Sequence, residues 1–82
     1  MMPNVLQLPD GTEFLYEQGP SGRIVVFDFE ESDLEKLLRL PANQFVSING
    51  QEMTYEDARK QMGRIVAYLP KRSDYSLVAG RL

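Results

Sequence analysis

The stretch VLQLPDGTEFLYEQGPSGRIVVFDF, residues 5–29, contains three short strand patterns separated by two turn patterns. The first turn, at 9–11, has a proline that fixes φ and a glycine that tolerates positive φ. The second turn, at 19–22, contains two glycines and a proline. Strands joined by turns this short predict an antiparallel meander. The three strand patterns span residues 5–8, 12–18 and 23–29.

The second and third strand patterns indicate which side of the sheet is buried. Residues 12–18 alternate, with Phe14 and Tyr16 on one face and Leu15 between two glutamates on the other. Residues 24–27 are apolar on both faces, which is typical of a central strand covered on at least one side.

A short helix and a hairpin are predicted after the meander. Ser32 and Glu35 match a capping box, and Pro41 follows the end of this helix, since the residue before a proline avoids the helical region. The hairpin turns at Asn49 and Gly50, a pair favoured in two-residue turns because both residues take positive φ.

A longer helix is predicted to begin after Thr54, which caps it, and to end at Leu69, before Pro70. Gly63 lies inside this pattern, where glycine costs about 1 kcal/mol relative to alanine. Either another backbone passes close to Gly63, or the glycine is simply tolerated. The apolar residues that follow helical spacing are Tyr55, Ala58, Met62, Ile65, Val66 and Leu69.

The element order is therefore βββ-α-ββ-α. Strands grouped with two helices, without regular βαβ alternation, predict an α+β fold in which a small antiparallel sheet packs against two helices. Residues 1–70 are expected to form a single domain and 71–82 a C-terminal tail. Residues 75–79 have some strand character and could extend a sheet edge of this chain or of a partner, or remain a frayed terminus.

The residue types that the chain lacks exclude most catalytic chemistry. Its 82 residues include no cysteine, histidine or tryptophan, which removes Ser-His-Asp and Cys-His catalysis and ordinary zinc sites. No glycine-rich phosphate loop is present. A carboxylate-dependent enzyme would need a bound metal or a pocket joining Asp28 to Glu52. The sequence therefore predicts a non-enzymatic protein without metal or cofactor.

Hydropathy and charge give the expected setting of the chain. The N-terminus has no signal-peptide pattern and the longest aliphatic or aromatic run is 24–27, so a soluble, cytoplasmic protein without membrane contact is predicted. The net charge of −3 is uneven, because residues 1–57 carry −8 and residues 58–82 carry +5. This asymmetry indicates either a charged partner or neutralisation within the fold.

An acidic patch is predicted at Asp28, Glu30, Glu31 and Asp33. Several carboxylates could hold a hard cation, but the stretch lacks the spacing and the central glycine of an EF-hand loop. Acids near a helix N-terminus also complement the helix dipole without any ligand. The functional interpretation is a surface that binds a basic partner protein or imitates a nucleic acid.

A basic patch with interleaved aromatic residues is predicted near the C-terminus. Such a combination suits single-stranded nucleic acid, in which bases stack on rings and phosphates contact cations. Basic residues near the end of a helix also need no ligand to explain them. The residues of this patch are Lys60, Arg64, Lys71, Arg72, Tyr68 and Tyr75.

No motif is specific enough to indicate a family. The sequence favours a small protein-binding module, an adaptor or inhibitor of the accessory kind that phages and mobile elements encode, acting on another protein through its charged patches. A homodimer is a further option, through strand addition at an exposed sheet edge. The alternative is a nucleic-acid-binding protein that uses the basic C-terminal segment.

Overall fold

The computed structural model describes residues 3–71, which form a six-stranded sheet and two α-helices. The predictions for Arg72, Tyr75 and the strand at 75–79 lie outside the described residues. The elements in chain order are β1 (Asn4–Gln7), β2 (Glu13–Gln18), β3 (Arg23–Phe29), α1 (Leu34–Leu38), β4 (Phe45–Ile48), β5 (Gln51–Thr54), α2 (Tyr55–Met62) and β6 (Arg64–Pro70).

The predicted meander and the α+β fold class are confirmed. Strand β2 pairs antiparallel with β1 on one side and with β3 on the other. The turn between β1 and β2 is closed by two backbone hydrogen bonds between Leu8 and its neighbours: Leu8 N–H donates to Thr12 O at 2.8 Å, and Gly11 N–H donates to Leu8 O at 3.0 Å.

The hairpin of β4 and β5 is also confirmed, with Asn49 at φ 52° and Gly50 at φ 87° in its turn. Asn49 also attaches the hairpin to β1. Its Oδ1 accepts a hydrogen bond from Val5 N–H at 2.9 Å, and its Nδ2 donates to Asn4 Oδ1 at 3.0 Å. Strand β4 is therefore placed beside β1, where Ile48 lies opposite Leu6.

The prediction of a purely antiparallel sheet is wrong. The strand order is β5-β4-β1-β2-β3-β6, and the outermost strand β6 runs parallel to β3. Within residues 3–71 the element order is βββ-α-ββ-α-β, because residues 64–70 extend along β3 instead of continuing the second helix.

Three structural features explain why α2 ends at Met62 and not at Leu69. Gly63 takes φ 111° and ψ −165°, which lie outside the helical region, so the helix cannot continue through this residue. The side-chain Nε2 of Gln18 donates to the carbonyl oxygens of Met62 at 2.6 Å and of Gln61 at 3.2 Å, and so occupies acceptors at the helix end. Residues 64–70 then pair with the edge of β3, whose backbone groups would otherwise lack partners. The predicted cap at the other end is confirmed, since Thr54 Oγ1 accepts from Asp57 N–H at 3.2 Å.

Gly63 does lie against another backbone, although at the end of a helix and not inside one. A β-carbon built on Gly63 would be 2.3 Å from the carbonyl oxygen of Gly22, which is far closer than any real contact. The glycine allows the chain to pass from α2 into β6 directly beside the start of β3.

The first helix is shorter than its sequence pattern suggests. It begins at Leu34, after a 3-10 turn at Glu31–Asp33, and Asp33 at its N-cap makes no side-chain capping hydrogen bond. The predicted capping box of Ser32 and Glu35 is therefore wrong. Leu37 is the buried leucine of this helix, whereas Leu38 is 58% exposed.

The core lies on one face of the sheet, beneath α2 and α1. Phe14 and Phe29 form its centre, with ring centroids 5.4 Å apart, and Leu6 is fully buried beside them. The buried residues are Leu6, Leu8, Phe14, Tyr16, Ile24, Val26, Phe29, Leu37, Val46, Ile48, Tyr55, Ala58 and Met62.

Candidate interaction surface

The second face of the sheet has no helix on it within residues 3–71. The buried residues of α1 and α2 belong to a single cluster with the strand residues that face them. Side chains of successive strand residues point to opposite faces, so the residues between those core positions face away from both helices. We call this second side the open face.

An apolar row crosses the open face over four adjacent strands. Val5 lies opposite Leu15, Leu15 opposite Phe27, and Phe27 opposite Leu69. Directly opposed residues share one face of a sheet, so these four side chains are neighbours. With strands about 4.8 Å apart, the row is about 14 Å long. Val5, Leu15 and Phe27 are half-buried, and Leu69 is 42% exposed.

A second, shorter row widens this apolar surface. Val25 lies opposite Ala67, and both are half-buried. Val66, which is 48% exposed, lines a shallow groove together with Val25, Glu17 and Arg23. The two rows form a contiguous apolar surface that reaches the outer strand β6.

A β-bulge at Asp28 decides how the end of β3 is divided between the two faces. In β3, residues 28 and 29 together match a single step in β6, from Leu69 to Pro70. Asp28 takes φ 60°, a left-handed conformation that is uncommon outside glycine. The extra residue places Phe27 on the open face and Phe29 in the core, 1% exposed, although both would share a face in a regular strand.

The bulge also presents Asp28 to a groove beside the apolar row. The groove measures about 300 Å³, and Leu15 of the apolar row forms part of its wall. Three residues of the predicted acidic patch, Asp28, Glu30 and Asp33, line it. Glu31 lies in the adjoining 3-10 turn and is exposed. Glu13 from β2 and Lys71 also line the groove, although both are distant in sequence from the acidic patch.

Lys36 neutralises part of the acidic surface on the α1 side of the groove. Its Nζ lies 3.1 Å from Asp10 Oδ2, 3.3 Å from Asp33 Oδ1 and 3.3 Å from Thr12 Oγ1. Hydrogen bonds from Thr12, and then from Lys36, lower the pKa of Asp10 from 3.8 to about 2. Hydrogen bonds to Asp10, and then to Asp33, raise the pKa of Lys36. Lys36 therefore links α1 to the turn between β1 and β2.

The described members of the predicted basic patch lie apart. Lys60 is on α2, whereas Arg64 and Lys71 lie at the two ends of β6, about 23 Å apart along an extended chain. The patch is predicted from basic and aromatic residues interleaved along the chain, and the strand at 64–70 separates its described members. Lys71 instead faces the acidic groove, where its charge opposes that of the carboxylates.

Tyr68 does not face the solvent as a stacking platform. It is half-buried against the core, on the same side of the sheet as α2. Burial raises the pKa of Tyr68, as does neighbouring Tyr55, while Arg59 opposes the rise. The guanidinium of Arg59 lies 5.9 Å from the centroid of the Tyr55 ring. The aromatic side chain that was expected to stack on bases thus packs against the helix layer.

The described residues bring together no constellation typical of catalysis. Among the described residues, Asp28 and Glu52 line two different grooves. Among residues 3–71, no three acidic side chains are grouped closely enough to hold a metal ion. Neither helix in this part of the chain is long and apolar enough to cross a membrane.

Sequence reasoning missed the open face, although it contained two signals of it. Leu15 alternates with glutamates on the side of β2 opposite Phe14 and Tyr16, and residues 24–27 are apolar on both faces. What the pattern lacked was the position of β6, because Leu69 was assigned to a helix.

Comparisons with protein-family models, curated protein sequences and solved structures find no match to this chain. The interpretation of the open face therefore depends on its geometry and chemistry.

Proposed function

We propose that this protein is a small, non-enzymatic module that binds another protein, and that the open face is the binding surface. The observation that carries the proposal is the apolar row of Val5, Leu15, Phe27 and Leu69, on a face that carries no helix within residues 3–71. A contiguous exposed apolar surface rimmed by polar residues is typical of a protein-interaction site. Covering it removes apolar area from water, a gross gain of about 25 cal/mol per Å² that is partly offset by the freedom lost on association.

The polar rim supports the same function. Glu13 and Glu17 are exposed on either side of Leu15, and Arg23 lies at the end of the second apolar row. This arrangement of an apolar centre and a charged margin is that of a protein interface. With no catalytic constellation among residues 3–71, such a module would act as an adaptor or as an inhibitor of its partner.

The nucleic-acid alternative has less support. It required Arg64, Lys71 and Tyr68 on one surface, and the strand β6 distributes them over its two ends and the core side. Binding to an oligonucleotide that falls steeply with salt, because counterions are released, would favour it over the present proposal.

The proposal is tested by comparing two matched variants with the wild-type chain. Leu69→Gln removes an exposed apolar side chain from the open face, and Leu38→Gln removes one of similar exposure from α1 on the other side. Affinity capture from nuclease-treated lysate identifies proteins retained by the wild type and by Leu38→Gln but lost with Leu69→Gln. The partner is then purified, and its affinity for all three chains is measured by calorimetry.

We expect Leu69→Gln to weaken this affinity by about tenfold, as for the loss of an exposed apolar side chain that the partner covers. Equal affinity of all three chains for every partner found would refute the open face as the binding surface. An assay of the partner's own activity with and without the module then distinguishes an adaptor from an inhibitor.

A further inference from the structure

We infer that the partner of the open face is a basic amphipathic segment, with apolar side chains along the row and lysine or arginine residues on both sides of it. This inference rests on the proposed function and adds the chemistry of the partner. It follows from the charges that border the apolar row and from the acidic groove next to Leu15.

The first argument is the charge beside the row. On β2, Glu13 and Glu17 are each two residues from Leu15 and therefore about 7 Å from it on the same face. Both are exposed, and within residues 3–71 neither forms an ion pair. An apolar segment bound along the row places its flanking residues next to one carboxylate on each side. Cations at those positions gain favourable interactions, whereas anions are repelled.

The second argument is the groove beside the row, which shares Leu15 with it. Asp33 in this groove is paired with Lys36, but Asp28 and Glu30 form no ion pair in the part of the chain that the structure describes. Together with Glu13, three carboxylate residues line the groove against one lysine, Lys71. The groove therefore favours a basic side chain that extends beyond the apolar row.

The same charges disfavour a second copy of the chain on this face. A symmetric dimer places one surface against itself, so each residue near the axis meets its own counterpart. With the axis near Leu15, Glu13 and Glu17 would face two further glutamates, and like charges in apposition weaken association. Arg23 is on the same face but lies beyond Glu17, farther from the apolar row. A basic partner avoids this repulsion and pairs the carboxylates.

The length of the row sets the size of the segment. About 14 Å corresponds to about ten residues of an α-helix, or to about four or five residues of an extended chain. Lysine or arginine residues adjacent to the apolar positions reach the carboxylates in either conformation.

The test uses three synthetic peptides of about twelve residues, long enough to cover the row. The first has leucines at helical spacing and lysines elsewhere, the second replaces every lysine by glutamate, and the third replaces every leucine by serine. Fluorescence anisotropy of the labelled peptides gives affinities for the full chain, and methyl NMR locates binding through the signals of Val5 and Leu15.

We expect the first peptide to bind and to shift the Val5 and Leu15 methyl signals, with the other two at least about tenfold weaker. The double variant Glu13→Gln/Glu17→Gln should weaken the first peptide by about threefold to tenfold. Glu56→Gln, which removes an exposed carboxylate from α2 on the other side of the sheet, serves as the control and should leave the affinity unchanged. Added salt should reduce the affinity for the wild type more than for the double variant.

Three outcomes would overturn the inference. The first is equal or tighter binding of the glutamate peptide, and the second is a dimer in sedimentation equilibrium that Phe27→Lys dissociates. The third is a shift of the Leu15 methyl signal in Leu77→Ser together with tighter peptide binding, which would identify residues 72–82 of this chain as the occupant. An acidic lysate partner whose binding is weakened by Leu69→Gln would refute only this inference. Partners that bind Leu69→Gln as tightly as the wild type would refute the proposed function itself.

Discussion

Replacing Gly63 by alanine is expected to lower the free energy of unfolding by about 2–6 kcal/mol. Two effects add to this cost. The φ of 111° and ψ of −165° at Gly63 lie in a region that is almost restricted to glycine, where another residue costs about 1–3 kcal/mol. In addition, the new β-carbon would lie 2.3 Å from the carbonyl oxygen of Gly22.

The overlap cannot be relieved by a side-chain rotation, because both atoms belong to the backbone or are attached directly to it. The end of α2 must move away from the start of β3, and backbone shifts of this kind cost about 1–3 kcal/mol. A domain of this size has a total stability of roughly 4–12 kcal/mol. The substitution therefore removes a large part of the stability, and we expect a lower urea midpoint with an unchanged slope.

Gly19→Ala is the matched control. Gly19 has φ −98°, which alanine adopts readily, and its added β-carbon would lie 3.5 Å from the Arg23 carbonyl oxygen, an ordinary contact. Its effect should stay within about 1 kcal/mol. The opposite result at Gly63, a stabilisation of about 1 kcal/mol, is what a helix continuing through residue 63 would give, because alanine is the better helix former. That result would refute the assignment of β6.

Substitutions at three further positions test other features of the fold. In an NMR titration, Asp10 should ionise at a pKa of about 2, and Lys36→Gln should raise that pKa towards 3.8. Because folding lowers this pKa, the stabilisation by Asp10 is present above its ordinary value and is lost as the pH falls through about 2; a Lys36→Gln chain with an unchanged Asp10 pKa would contradict the contact. Gln18→Leu should cost about 1–3 kcal/mol in chemical denaturation, because the Met62 carbonyl loses its side-chain donor, and an unchanged stability would show that the contact does not hold the end of α2. Asp28→Gly should be neutral or stabilising while Asp28→Val destabilises by about 1–3 kcal/mol, since φ 60° favours glycine and penalises a β-branched residue; equal stabilities would argue against the bulge.

Features that depend on near neighbours in the chain were predictable from the sequence. The meander follows from two turns in which proline and glycine restrict or release φ, and the hairpin follows from Asn49 and Gly50. Thr54 caps α2 because its hydroxyl needs only the N–H of Asp57, three residues away. Asp28, Glu30 and Asp33 meet at one groove for a similar reason, since they are close in sequence.

The prediction of the final element failed because its local signal is ambiguous. Residues 64–70 place apolar side chains at helical spacing, but Ile65, Val66 and Tyr68 also suit a strand. The free edge of β3 decides between the two, because it supplies hydrogen-bond partners to a strand and none to a helix. That edge exists only after the meander has formed.

Composition, turn chemistry and hydrophobic alternation by themselves determined an α+β domain without thiol or imidazole chemistry, with a meander, a hairpin and an acidic segment. Only the tertiary structure decided that Leu69 joins Val5, Leu15 and Phe27 in one row, and that the bulge at Asp28 sends Phe27 and Phe29 to opposite faces. The physical reason is distance along the chain. Turns and caps depend on residues a few positions apart, whereas the open face depends on strands that are separated by up to 64 residues and meet only through the pairing of backbone groups.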